Sequence, residues 1–213
     1  AVGHGTLKHN VEAGANTAVG DLALRQLKTS TASTYNTAVG RASQRGPNNE
    51  AQFHTGERNT SVGAGSMKVI TTGNDNTAVG YWSQYGASIT GDYNTSIGSN
   101  SLKNLDSGDK NISVGHEAGD VITSGSNNVI IGSGSDPSAS SASNQTVIGY
   151  NVTGQADNSV VLGNADVTAI YMAQDKGATV HAAGADLSGS TGLILENDAV
   201  SYTHLTLPTS RSV

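Results

Sequence analysis

Over residues 1–163, apolar and polar positions follow one six-residue phrase: variable, Asn, Thr, small, Val or Ile, Gly. Clear copies are Asn16 to Gly20, Asn36 to Gly40, Asn59 to Gly63, Asn76 to Gly80, Asn94 to Gly98 and Asn111 to Gly115. Altered copies end at Gly132, Gly149 and Gly163, and Ala1-Val2-Gly3 is the tail of a further one. The fifth position reads Val2, Val19, Val39, Val62, Val79, Ile97, Val114, Ile131, Ile148 and Leu162. Such β-branched residues favour a pleated strand, and alternation puts the third and fifth positions on one face and the fourth on the other. The burial value of Val and Ile predicts that the fifth position points into the interior, with Thr beside it and the fourth residue facing out. That fourth residue drifts from Ala18, Ala38, Ser61, Ala78, Ser96 and Ser113 to Ile130, Val147 and Val161. The drift predicts tighter packing against a neighbouring subunit from about residue 128 on.

The steps between phrase-ending glycines are 17, 20, 23, 17, 18, 17, 17, 17 and 14 residues. A period in this range signals a stacked repeat, so residues 1–163 read as a parallel β-solenoid of about ten coils, the first truncated. Asn16, Asn36, Asn59, Asn76, Asn94, Asn111 and Asn128 would then stack into a ladder of amides. After each glycine, apolar residues fall at offsets 3, 4 and 7, as in Ala23, Leu24 and Leu27, or Ser101, Leu102 and Leu105. This spacing suggests one short helical turn per coil. Turn signals follow, as in Thr72-Gly73-Asn74-Asp75 and Ser107-Gly108-Asp109. The longer steps hold inserts at 29–35 and 45–57, which read as surface loops.

Composition agrees with a thin, repetitive interior. The chain has 213 residues, of which 35% are hydrophobic and only 4% aromatic, and it has no Cys. A single-core domain of that length would carry more aromatic bulk. Its net charge of −6 offers no basic footprint, which argues against a nucleic-acid partner. No apolar run reaches membrane-spanning length, so no direct membrane insertion is expected in this segment.

Residues 164–180 leave the period and contain an alternating stretch, Val167 to Met172, that reads as a capping strand. Residues 181–199 read as the start of a stalk or further domain. Val200 to Thr209 looks like one frame of a sequencing adapter, so residues 200–213 are set aside as adapter-derived. The array opens inside a repeat, and the natural protein is expected to continue past about residue 199.

At Asn158 to Gly163, and less closely at Asn127 to Gly132 and Asn144 to Gly149, the chain resembles the head repeat of YadA-like trimeric autotransporter adhesins. The Asn-Thr-Ala-Val-Gly form resembles repeats of phage tail fibres, in which the array often precedes an endosialidase-type intramolecular chaperone domain. The resemblance covers roughly residues 1–172 and implies an all-β, left-handed parallel β-roll assembled as a homotrimer. It also implies an extracellular place, on a virion tail fibre or bacterial surface, and a host-surface glycan or protein as receptor. The longer steps depart from the adhesin head repeat.

Candidate chemistry is sparse. His4, His9, His54, His116, His181 and His204 fall at unrelated repeat positions and read as solvated rather than catalytic. Asp75, Asp92 and Asp109 read as equivalent turn residues, with a repeated Ca²⁺ site as the rival. Glu50, Glu57 and Glu117 show no partner for glycosidase chemistry. No catalytic residue, metal site or cofactor is expected. Tyr35, Tyr81, Trp82, Tyr85 and Tyr93 concentrate in one region, as in a sugar- or protein-binding patch, or else cap the coil edges. The expected function is a structural and adhesive fibre segment, not an enzyme. A polysaccharide-degrading tailspike is the first alternative. An ice-binding solenoid is the second, disfavoured because the Thr row shares a face with the Val and Ile expected inside.

Overall fold

The computed structural model describes residues 1–9, 14–27, 34–47 and 53–171. Each repeat phrase contributes one three-residue strand: β1 (Thr17–Val19), β2 (Thr37–Val39), β3 (Thr60–Val62), β4 (Thr77–Val79), β5 (Thr95–Ile97), β6 (Ile112–Val114), β7 (Val129–Ile131), β8 (Thr146–Ile148) and β9 (Val160–Leu162). They form one parallel nine-stranded sheet in sequence order, so the chain is an all-β solenoid. Register follows the phrase without slippage. Thr17 lies beside Thr37, Ala38 beside Ser61, and Val79 beside Ile97. Val2 bridges to Val19, which seats the truncated first phrase on the stack. Eight strand-to-strand steps of about 4.8 Å give a sheet about 38 Å long.

The facing of the strands is the reverse of the expectation. Ala18, Ala38, Ser61, Ala78, Ser96, Ser113, Ile130 and Val147 are buried, so the fourth position points inward. Val19, Val62, Val79, Ile97, Ile131, Ile148 and Leu162 are 37–43% exposed, so the fifth position points outward together with the third. The reason is the parity of the Asn. Side chains two residues apart share a face, and the Asn is held inside by backbone groups that water cannot reach. Asn76 Nδ2 donates to the Gly91 carbonyl at 2.8 Å, and Asn76 Oδ1 accepts the Asn94 N–H at 2.8 Å. The same pattern runs from Asn36 through Asn128, where Gln145 takes over as donor of the backbone N–H. A ladder of amides was expected; its amides lie inside the coil, and they carry the fourth position inward with them.

The drift of the fourth position therefore repacks the interior. Where it is Ala, large residues fill the opposite wall, such as Leu24 and Leu27 with Ala18 and Ala38, or Met67 and Ile70 with Ala78. Where it becomes Ile130 and Val147, they join Leu102, Leu105, Ala118, Ile122 and Val152 in one cluster, with Val161 packed against it. In the coils with serine, hydroxyls pair across the interior: Ser83 Oγ lies 2.7 Å from Ser96 Oγ, and Ser43 Oγ pairs with Ser61 Oγ. The tighter lateral packing expected from residue 128 on has no basis in these buried side chains.

The offset-3, 4 and 7 residues do point inward, since Leu24, Leu27, Met67, Ile70, Leu102 and Leu105 are all fully buried. They form no helical turn, and no helix occurs among the described residues. Instead the second and fourth residues after the corner glycine take left-handed φ: Leu22 59° and Leu24 47°, or Trp82 53° and Gln84 48°. Left-handed φ in ordinary residues costs about 1–2 kcal/mol each, sustained here by regular backbone bonds between coils such as Leu24 N–H to the Ser43 carbonyl at 3.0 Å. The corner itself requires glycine. Gly20 has φ 129°, and a Cβ there would lie 2.6 Å from the Gly40 carbonyl carbon of the next coil.

Of the expected loop at 45–57, the described part is not peripheral: Pro47 and His54 are buried, and His54 bridges to Leu27. In the insert at 29–35, Thr34 is buried and Tyr35 exposed; residues 28–33 and 48–52 lie outside the described residues. Residues 164–171 of the expected cap carry no strand, and Val167 and Ile170 are exposed. The rest of that cap, the stretch 181–199 and the segment 200–213 lie outside the described residues.

Candidate functional site

Two outward surfaces follow from this geometry. The first is the sheet face itself. Strand parity brings the third and fifth positions to one flat rank, with Thr17, Thr37, Thr60, Thr77, Thr95, Ile112, Val129, Thr146 and Val160 in one row. The second row holds Val19, Val39, Val62, Val79, Ile97, Val114, Ile131, Ile148 and Leu162. A continuous apolar row of this length on a single chain is unusual, and such patches mark association surfaces.

The second surface lies just past the corner glycines. Tyr81 stacks on Trp82 with ring centroids 4.9 Å apart and planes 15° apart, and Trp82 meets Tyr85 at 5.0 Å. Lys68 Nζ donates to the Tyr85 hydroxyl at 2.9 Å, and Lys103 Nζ sits 5.6 Å from the Trp82 ring centre. A hollow of about 170 Å³ opens beside this panel, lined by Leu22, Arg41, Ala42, Arg45, Ala64, Gly65, Lys68, Tyr81 and Trp82. Three of the five aromatics expected to form a patch therefore meet. Tyr35 and Tyr93 do not join them. They occupy the first phrase position, at the entry end of the strand, with φ of 52° and 61°. A three-residue strand and the corner glycine separate that end from the first residue beyond the corner.

The described histidines do not converge. His4 pairs with Asp21 at 3.3 Å and His116 with Glu117 at 3.6 Å, both at the surface. His9 meets Phe53 edge to face at 6.2 Å. His54 departs from the solvated reading: it is fully buried, neither ring nitrogen has a hydrogen-bond partner among the described residues, and burial lowers its pKa to about 3. His181 and His204 lie outside the described residues.

The turn acids form a second ladder. Asp92 Oδ1 accepts the Asn74 N–H at 2.7 Å, Asp109 Oδ1 the Asp92 N–H at 2.8 Å, and Ser126 Oγ the Asp109 N–H at 3.0 Å. The residue equivalent to Asp92 and Asp109 is thus Asn74. Asp75 sits one position later, at φ 56°, where Arg58 bonds both its oxygens and holds its carboxyl below the usual range. No group of three or more His, Cys, Asp or Glu arranged to hold a metal occurs among the described residues. Glu57 pairs with Arg58 at 2.8 Å. Asp120 and Asp136 are both raised in pKa, chiefly by burial and then by the neighbouring charges of Glu117 and Asp120 respectively. Glu50 lies outside the described residues.

No family model, curated protein or solved structure matches the chain. What the geometry defines is a class: a parallel β-solenoid with an outward rank of Thr, Val and Ile on its strands.

Proposed function

We propose that this chain is a structural and adhesive segment of a homotrimeric, extracellular surface fibre, serving attachment to a host surface. The observation that supports it most is the outward fifth-position row. Val and Ile recur there on successive strands although the described residues give them no interior to fill. Covering a half-exposed Val or Ile contributes of the order of 1 kcal/mol, and the row repeats that contribution along about 38 Å of sheet. The buried Asn ladder and the in-register coils make the column stiff, as a spacer or head requires. The resemblance to trimeric adhesin and tail-fibre repeats supports three copies as the assembly. Sedimentation equilibrium should give three times the 21.5 kDa chain, about 64.5 kDa. A monomer across micromolar concentrations would contradict it.

A second reading is ice binding. The Thr row was expected inside and is instead outward, in the flat, regular spacing such a surface uses. Its interruption by Ile112, Val129 and Val160 weighs against it. Thermal hysteresis measured on the chain, with ice-crystal shaping, would favour this reading over the fibre.

A further inference from the structure

We infer that the hollow beside Tyr81 and Trp82 is a binding site for a carboxylate-bearing glycan, approached along the solenoid axis. This rests on the attachment reading above and says where attachment occurs and to what chemistry. Aligning the coils on their corner glycines places the lining in three columns. The residue one past the corner is Asp21, Arg41, Ala64 and Tyr81 in successive coils, and the residue two past is Leu22, Ala42, Gly65 and Trp82. The residue five past is Arg25, Arg45, Lys68, Tyr85 and Lys103, a basic column broken by one aromatic.

Three observations fix the ligand class. First, the chain carries 11 basic and 17 acidic residues, yet among the described residues the lining of the hollow holds Arg41, Arg45 and Lys68 and no Asp or Glu; Asp21, 3.8 Å from Arg41 at the surface, offsets one of these charges. A concave surface with a net excess of positive charge on a net negative protein favours an anionic ligand. Second, the wall is a rigid aromatic panel. Lys68 and Lys103 hold Tyr85 and Trp82 in place, and a Cβ on Gly65 would lie 2.6 Å from Trp82 Cδ1, so the indole is seated against that glycine. Aromatic rings presented this way take the apolar face of a sugar ring, while guanidinium groups match a planar carboxylate with paired hydrogen bonds. Third, the hollow has about 170 Å³, several times the ~30 Å³ of one water, enough for one sugar ring. Coils advance about 4.8 Å each, roughly one sugar unit, so neighbouring units of a linear acidic chain could meet Arg41 and Lys68 on adjacent coils and the aromatic panel on the next.

Trp82 is the only Trp, so its emission reports on this site alone. The full chain is titrated with tetragalacturonate and, separately, with its neutral methyl ester. The expected result is a saturable emission change with the acid and at least tenfold weaker binding of the ester. Arg41→Ser and Lys68→Met should each weaken binding about tenfold, Lys68→Arg should retain it, and Lys110→Met, outside the hollow, should leave it unchanged; circular dichroism confirms folding of each. Equal binding of acid and ester, no saturable change, or full displacement by an equal concentration of inorganic sulfate would overturn the inference. Sedimentation of the same samples separates the two readings. A trimer that ignores the acid overturns this site alone, and a monomer that binds it overturns the fibre alone.

Discussion

Ile130 and Ile131 are adjacent, chemically identical and on opposite sides of the sheet: Ile130 is fully buried in the coil while Ile131 is 39% exposed. One packs against Val147 and Ile122 in its own chain; the other stands in the outward row beside Val114 and Ile148. The pair separates what holds a coil together from what the coil offers to a partner.

The two residues should therefore respond differently to truncation. Ile130→Ala leaves a cavity and is expected to cost about 2–4 kcal/mol of coil stability, read as a lower urea midpoint at every protein concentration. Ile131→Ala should leave that midpoint nearly unchanged at high concentration and shift the dissociation of the assembly instead. Equal losses from both would show that the parity is wrong.

Asn76 carries the ladder at mid-array. Asn76→Ala orphans the Asn94 N–H and the Gly91 carbonyl, both buried, at about 1–3 kcal/mol for each unsatisfied group. Thr77→Val, one residue on and facing out, should cost less than about 0.5 kcal/mol. Chemical denaturation of the two variants checks the contrast, and a ranking of Thr77→Val as the more damaging would contradict it.

Much of the fold was legible in the sequence. The glycine period, the strand phrase and the in-register stacking followed from Asn-Thr-x-Val-Gly alone. The facing was not, because the burial rule applied to Val19 or Val79 assumes that one chain must cover its own apolar residues. The opposing signal was present: a ladder of Asn at the second position forces the fourth position to the same side, and Ala or Ser there leaves room for Leu24 or Met67 opposite. The left-handed turns were illegible because Leu22, Leu24 and Trp82 carry no glycine-like signature. Of the candidate site, Tyr81, Trp82 and Tyr85 were visible as a concentration of aromatics. Arg41, Arg45 and Lys68 were not, since they lie one or two coils away and align only once the corner glycines are superposed.

His54 predicts an acid-sensitive coil. Its pKa is about 3 in the folded chain against 6.5 normally. Between those values the unfolded chain binds a proton that the folded chain excludes, so stability falls as pH drops below about 6.5. The slope approaches about 1.4 kcal/mol per pH unit. Thermal midpoints of the parent and His54→Leu, measured from pH 7 to pH 4, should diverge, with the parent losing more. Parallel profiles would mean that His54 is not buried neutral.

The most direct test of the outward rank as a subunit interface uses the absence of Cys from the chain. A single thiol is introduced as Val79→Cys, Ala78→Cys or Ser107→Cys, and its reaction with a water-soluble maleimide is timed under native conditions. If the rank is covered by neighbouring copies, position 79 should react many times more slowly than position 107, an exposed turn residue, and should speed up on dilution as the assembly dissociates. Position 78 should stay unreactive at every concentration, being inside the coil. A thiol at position 79 that reacts as fast as one at position 107, at all concentrations, would contradict the interface.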